Sequence, residues 1–500
     1  MEIWANLAIG FGGALTPANL GFCLIGCLLG TLIGVLPGLG PITTIAMLMP
    51  LTFGLPPLSS LVMLAGIYYG AQYGGSTTAI LVNVPGEASS VVTCIDGYRM
   101  AQNGRAGAAL AIAALGSFFA GCVGTLIIAA MAPALGEFSR QFSSPEYFAL
   151  MVLGLIAAVV LANGSVMKAI AMVMLGLLLG LVGTDVTTGT RRFAFGIPEL
   201  ADGFDFLPLA MGIFGFAEIL RNLEEPAGDR RIVTDKLSGL WPSPEEFKAA
   251  WPAILRGTGL GSLLGILPGS GPVVASFAAY TLEKKLARDP SRFGRGAIEG
   301  VAGPESANNA GAQTSFIPLL TLGIPSTPVM ALMMGAMTIQ GIAPGTSIMT
   351  KQPELFWGMV ASMWIGNAML LVINLPLVGI WVRLLRVPYS LMFPSIVIIC
   401  CLGLYTTTNS PFPILLAVAC TLAGYIFHKV GCDGAPLLLG FVLGPPMEEN
   451  LRRAMLLARG DPMIFLERPI AATLLAITAG VLLLMVLPNF RQTREVAFKE

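Results

Sequence analysis

Charge is what this 500-residue sequence has least of. It holds 28 Lys and Arg, 28 Asp and Glu and a single His, so that 11% of its residues are charged. A soluble domain carries about 25%. So little polar surface cannot coat a soluble particle of this size, and 55% of the residues are hydrophobic. With a net charge of zero and no basic tail, the footprint of a nucleic-acid binder is missing. No Lys or Arg precedes Arg99, so there is no basic n-region and no cleaved signal peptide is expected.

Catalytic signatures are also missing. There is no GxxxxGK[ST] for ATP and no HExxH, and one histidine cannot build a zinc protease site. A Ser/His intramembrane protease would have to use His428, for which no nucleophile motif is present. Gly183-Thr-Asp185 resembles an aspartyl-protease motif only loosely. His428 adjoins Lys429 and reads as interfacial. Cys23, Cys27, Cys400 and Cys401 lie in apolar sequence without metal-ligand spacing and read as small core residues. The chain is not expected to be an enzyme or to hold a cofactor or metal; uphill transport would draw on a Na+ or H+ gradient.

What is present is a series of apolar runs, among them Ala106–Ala130, Tyr147–Leu161, Val166–Leu181, Phe356–Leu375 and Ala471–Leu487. Crossing a ~30 Å hydrocarbon core takes ~20 residues. About 10 to 12 such segments give an all-α polytopic membrane protein. The charged stretch 221–256 reads as a cytoplasmic linker between two membrane repeats, 1–220 and 257–446. Residues 447–500 supply a polar loop, a last transmembrane helix and a tail.

The two repeats share landmarks. Gly34-Val-Leu-Pro-Gly-Leu-Gly-Pro41 matches Gly265-Ile-Leu-Pro-Gly-Ser-Gly-Pro272 at six of eight positions. Gly70-Ala-Gln72 precedes Pro85 as Gly311-Ala-Gln313 precedes Pro325. The same landmarks in the same order point to duplication. Around the second break stand Lys248, Arg256, Lys284, Lys285, Arg288, Arg292 and Arg295; around the first there is no basic residue. Short loops rich in Lys and Arg stay cytoplasmic. The expected plan is therefore two re-entrant or broken-helix hairpins, 20–52 and 252–282, entering from opposite faces as an inverted repeat.

Proline removes a backbone donor and glycine weakens a helix, so neither break continues a regular helix. In lipid, the freed backbone groups must be covered by protein or line a wet cavity. Half-helix ends then offer N–H groups to an anion and carbonyls to a cation. On this ground the expected substrate ligands are Gly38, Gly40, Thr43 and Thr44 at the first break, and Gly269, Ser270 and Gly271 at the second. The polar clusters that follow add Gly75, Ser76, Thr77, Thr78 and Asn83 in one repeat, and Asn308, Asn309, Gln313, Ser326 and Thr327 in the other. Glu87 and Glu305 adjoin these clusters and are the coupling-ion candidates, because intramembrane ionisable residues are functional by default. Glu87 alternatively sits in a loop beside Asp96 and Arg99, and Glu305 alternatively caps a helix or pairs with Arg295. Arg99 and Arg105 stand in sequence too hydrophilic for substrate ligands.

Several long stretches resemble the large permease subunit of the tripartite tricarboxylate transporters, the TctA family. They are Gly34 to Pro41 leading into Pro50-Leu-Thr-Phe-Gly54, the run Ala65 to Glu87, Asp96-Gly-Tyr through Gly104-Arg-Ala-Gly107, and Gly296 to Asn309. The resemblance extends from near Leu15 to about Pro446, with Gln313 as a departure where a small residue is expected. It implies a permease in a bacterial inner membrane, working with a small four-helix membrane subunit (TctB-like) and a periplasmic solute-binding protein (TctC-like). It also implies import of a di- or tricarboxylate such as citrate, driven by Na+ or H+. A passive anion channel or a stand-alone ion-coupled carboxylate transporter is the competing reading.

Overall fold

The computed structural model describes residues 2–36, 38–139, 141–162, 165–185, 187–224, 239–267, 271–385 and 389–486. Pro37, Pro268, Gly269 and Ser270 lie outside the described residues, as do linker residues 225–238. The first half comprises α1 (Glu2–Ala14), α2 (Pro17–Gly34), α3 (Pro41–Leu48), α4 (Pro57–Val82), α5 (Val91–Gln102), α6 (Ala106–Ser139), α7 (Ser144–Leu161) and α8 (Val166–Gly180). A two-residue antiparallel ladder, β1 (Gly183–Thr184) with β2 (Arg191–Arg192), follows. Next come α9 (Phe206–Ala210), a π-helical turn (Met211–Phe216) and α10 (Ala217–Glu224), continuous along one helix.

The second half holds α11 (Pro244–Gly265), α12 (Gly271–Leu286), α13 (Glu299–Thr314), α14 (Phe316–Leu322), α15 (Pro328–Ile339), α16 (Thr346–Lys351) and α17 (Pro353–Asn374). It ends with α18 (Val378–Leu384), α19 (Tyr389–Thr408), α20 (Phe412–Lys429), α21 (Gly434–Leu457), α22 (Ile464–Glu467) and α23 (Pro469–Val486).

Among the described residues, five helices are long and apolar enough to cross a membrane, and seven further apolar helices run 10–17 residues. The protein is an all-α polytopic membrane protein. The long spans are few because the central helices carry polar residues and breaks. The stretch expected as linker is partly helical: 221–224 end α10, and α11 starts at Pro244, capped by Ser243 and Glu246 in a reciprocal box.

Burial runs opposite to a plain hydropathy reading. The helices richest in small and polar residues are central: α4 is buried from Ser59 to Val82, and α13 from Gly300 to Thr314. Aliphatic residues face outward on α20, where Leu415, Val418, Leu422 and Ile426 form an exposed stripe at helical spacing. Lipid tails are as apolar as leucine, so helices in a bilayer associate through close packing of small residues rather than by hiding apolar area.

That packing reveals the repeat in atomic terms. Helix α2 lies against α4 through Gly26, Gly30 and Gly34, where an added Cβ would come within 2.3, 2.3 and 2.4 Å of the carbonyl oxygens of Met63, Ile67 and Ala71. Helix α11 lies against α13 through Gly257, Gly261 and Gly265, where the distances are 2.3, 2.2 and 2.3 Å to Gly303, Ala307 and Gly311. Further on, Asn83 and Gly323 both close their helices in the left-handed conformation, at φ 58 and 70. Glu87 and Thr327 then both open the next element as extended N-caps, at φ −147 and −139.

These pairs share one register, in which the counterpart of Ala71 is Gly311. The sequence match of Gly70-Ala-Gln72 to Gly311-Ala-Gln313 is one residue out of this register. Gln313 therefore corresponds to Tyr73, and Gln72 to Ala312. A one-residue slip rotates a side chain by about 100° on a helix, which separates the two glutamines. The halves also interlock: α6 of the first packs on α13, and α17 of the second packs on α4. The long helices meet where Gly121 abuts the Asn367 side chain.

Candidate functional site

The first break, the start of α12 and both extended N-caps converge on one cavity of about 790 Å3. From the first repeat come Gly38, Gly40, Pro41, Thr43, Gln72 and Glu87; from the second come Pro272, Thr327 and Pro328. Helix α10 contributes Glu218 and Arg221, and the last turn of α20 contributes His428. The cavity thus sits between the repeats, with charged groups along one side.

Local chemistry explains how each wall is held. Gly38 has φ +84, and a Cβ there would lie 2.6 Å from Asn222 Oδ1, so the break and α10 touch. The Asn222 Nδ2 is buried without a partner among the described residues. Thr44 Oγ1 donates to Gly40 O at 2.9 Å, and Thr43 Oγ1 donates to Phe214 O at 2.8 Å. The second contact satisfies a carbonyl of the π-helical turn. π-turns widen the hydrogen-bond ladder and recur at functional sites. Arg221 is partly exposed, with its Nη2 3.0 Å from Glu218 Oε1.

Two carboxylates bridge the repeats, the half-buried Glu87 on the cavity wall and the buried Glu305 behind it. Asn308 Nδ2 donates to Glu87 Oε1 at 2.9 Å, and Gln72 Nε2 donates to Asn308 Oδ1 at 3.5 Å. Glu305 is 1% exposed. Ser76 Oγ donates to it at 2.7 Å, and Thr93 donates through a short contact. Asn309 Nδ2 donates to Ser117 Oγ at 2.7 Å beside it. Glu305 lies inside α13 and not at its cap, and among the described residues neither Glu305 with Arg295 nor Glu87 with Arg99 forms an ion pair; Arg99 instead donates to Gln102 at 2.8 Å.

Of the residues expected as ligands, Gly38, Gly40, Thr43, Glu87 and Thr327 line the cavity. Asn308 does not line it and reaches it through Glu87 and Gln72. Others hold backbone in place. Thr78 Oγ1 donates to Val35 O and Gly74 O at 3.0 Å each, tying α4 to the end of α2. Ser326 Oγ donates to Ser315 O at 2.9 Å, Thr77 Oγ1 to Tyr73 O at 3.2 Å, and Thr327 Oγ1 accepts from the Met330 amide. Asn83 forms the left-handed end of α4, Gly75 packs on Gly86, and Gly271 starts α12. Gln313 stands away from the cavity, with its Oε1 accepting from Tyr69 Oη at 2.6 Å. Gly269 and Ser270 lie outside the described residues. Among those described, no group of three His, Cys, Asp or Glu residues has the arrangement of a metal site.

Sequence reasoning missed Arg221, Asn222, Gln72 and the placement of His428. Arg221 had one available signal: it falls one helical turn inside the apolar run ending at Glu224, ahead of the charge block.

A family model described as "Tripartite tricarboxylate transporter TctA family" matches residues 20–439. The chain belongs to the TctA family. This is a transporter family and not an enzyme family, and its members are the large subunits of tripartite systems. Among curated relatives is an "Uncharacterized 52.8 kDa protein in TAR-I ttuC' 3'region" of Agrobacterium vitis, 56% identical over 500 residues, covering 100% of this chain and 99% of the relative. An "Uncharacterized protein in TAR-II ttuC' 3'region" of the same organism is 57% identical over 240 residues, covering 48% of this chain and 99% of the relative. No solved structure matches this TctA chain.

Proposed function

We propose that this chain is the permease of a binding-protein-dependent secondary transporter that imports a di- or tricarboxylate across a bacterial inner membrane. A Na+ or H+ gradient drives it, a solute-binding protein delivers the substrate, and a small membrane subunit packs beside it. The observation that carries the reading is the cavity of about 790 Å3 between the first break and the helix starts at Pro272 and Thr327, with Arg221 on its wall. That volume lies in the range of small-molecule sites. A guanidinium offers a carboxylate two parallel hydrogen bonds; Glu218, at 3.0 Å, holds it until the substrate arrives. Helix starts at Pro41 and Thr327 turn their N-terminal ends toward the anion.

The charge pattern orients the molecule. The charged block 225–238 follows α10 in sequence, and with that block read as cytoplasmic, Arg221 and His428 belong to the cytoplasmic side. On this reading alternating access exposes the cavity to each face of the membrane in turn. A passive anion channel differs in being unable to accumulate substrate.

The test is uptake of labelled citrate and smaller dicarboxylates into proteoliposomes holding the complete system. Accumulation that collapses with the ion gradient supports the proposal; equilibration without accumulation overturns it. Arg221→Gln is expected to lower uptake by roughly 10–100-fold, the worth of one hydrogen bond to a charged group, at unchanged protein yield. Wild-type uptake in Arg221→Gln removes the arginine from the site.

A further inference from the structure

A second, much smaller cavity of about 10 Å3 lies between α4 and α6, lined by Tyr73, Ser76, Thr77, Ser117 and Asn374 and closed by aliphatic side chains. A void of this size admits a single water-sized body. Two of its polar atoms are unsatisfied: the Tyr73 hydroxyl and Asn374 Oδ1 are buried with no hydrogen-bond partner among the described residues. Both residues are 5% exposed. The Asn374 amide is oriented by its other end, because Nδ2 donates to Leu370 O at 3.0 Å. The oxygen is therefore the atom left over. Buried polar atoms without partners are costly, and these two share one enclosed space.

The charge nearby decides what belongs there. Ser76 Oγ, on the cavity wall, donates to Glu305 Oε2 at 2.7 Å. A hydroxyl that donates to a carboxylate keeps its lone pairs for a cation on its far side. Ser117, on the same wall, accepts from Asn309. Glu305 itself is buried among hydroxyls, and no Lys or Arg pairs with it among the described residues. An ionised carboxylate in such a place requires a countercharge. All available donors are oxygen, which suits a hard cation rather than a transition metal. A single carboxylate balances one positive charge and leaves a divalent ion uncompensated.

We propose that this cavity binds one Na+ ion, held by the oxygens of Tyr73, Ser76, Thr77, Ser117 and Asn374, with Glu305 one hydroxyl away as the countercharge. The repeat register locates the counterpart position. The counterparts of Ser76 and Thr77 in the second half are Phe316 and Ile317, both fully buried apolar residues. The duplicated position is filled with hydrocarbon, so among the described residues the second half does not reproduce this site. The ion lies on α4, the helix that also presents Gln72 to the large cavity. Occupancy at Ser76 and the geometry of the substrate wall are thus joined along a single turn of helix.

The inference rests on the transporter reading and names its coupling ion. The experiment is thermal unfolding of the purified full-length chain in NaCl, KCl or choline chloride at equal ionic strength. It is paired with uptake by the complete system in proteoliposomes. A saturable rise in Tm with Na+, absent with K+ and choline, is expected for the wild type. Ser76→Ala and Asn374→Ala should raise the Na+ midpoint by at least about tenfold, one decade of affinity, with each Na+ shift read against that variant's own Tm in choline, which falls because a buried hydrogen bond is lost. Ser76→Thr, which keeps the hydroxyl, should keep the Na+ response. No Na+-specific shift in the wild type means that the cavity holds water only and overturns the proposal. An unchanged shift in both alanine variants places the ion elsewhere and also overturns it. Uptake driven by a pH gradient at full rate without Na+ sinks the Na+ site while leaving the transporter reading intact. A Na+ response by these residues without any carboxylate uptake does the reverse.

Discussion

Asn308 of the second repeat donates to Glu87 of the first at 2.9 Å, and the same asparagine accepts from Gln72 at 3.5 Å. One amide side chain thereby connects the cavity-lining carboxylate, the central helix α4 and its partner α13. Removing it leaves the half-buried Glu87 without its donor from the other repeat. Asn308→Ala is expected to cut carboxylate uptake roughly 10–100-fold, following the ~1.5–3 kcal/mol of a hydrogen bond to a charged group. Surface yield should be retained. Uptake in proteoliposomes at matched protein content measures this, and an unaltered rate would show that the bridge plays no part in transport.

Packing at the glycine stripes gives a stability prediction with internal controls. Gly30→Leu and Gly261→Leu each drive a Cβ to within 2.3 and 2.2 Å of a carbonyl oxygen on the facing helix. Backbone on both sides leaves nothing flexible to move, so the loss should meet or exceed the ~1–3 kcal/mol of ordinary overpacking. Gly12→Leu and Gly259→Leu point into open space and should behave as the wild type. Size-exclusion profiles and thermal unfolding separate the two pairs. Equal behaviour of all four would contradict the close helix contact.

Away from the spans, Asp185 ties the β1–β2 turn to α21. The amides of Thr188 and Thr187 donate to its carboxylate, and Arg192 and Arg452 flank it at 3.0 and 2.8 Å. The Thr188 amide first, then Thr187 and the two guanidiniums, hold this carboxyl below its ordinary range. A carboxyl lowered by folding contributes stability that is complete above the unfolded value, about 3.9, and is lost as pH falls through the folded one. Wild-type Tm should therefore fall more steeply below about pH 4 than that of Asp185→Asn, which lacks this term at every pH. Thermal unfolding from pH 7 to pH 3 reads the difference, and parallel curves would remove Asp185 from the acid response.

Much of the membrane character was legible because it follows from composition. Eleven per cent charge excludes a soluble coat whatever the fold, and Pro-Gly breaks interrupt helices by their own backbone chemistry. The duplication was legible too, through Gly34 to Pro41 and Gly265 to Pro272. Its register was not. Identity of Gly-Ala-Gln at 70–72 and 311–313 aligned the wrong faces, because only the close contacts of α2 on α4 and α11 on α13 specify which residues are equivalent.

The sequence by itself determined the class, the two breaks and the polar companions that must find partners inside an apolar bundle. Tertiary structure decided which of these share a space. Glu87 meets Asn308 across 221 positions of chain, and Ser76 meets Glu305 across 229. Arg221, which reads as the start of a solvated linker, lines the large cavity because α10 ends beside Gly38. Hydropathy and breaker chemistry are local properties, carried by each residue into any fold. Proximity between repeats is set by how helices of small residues pack, and no single stretch of sequence contains it.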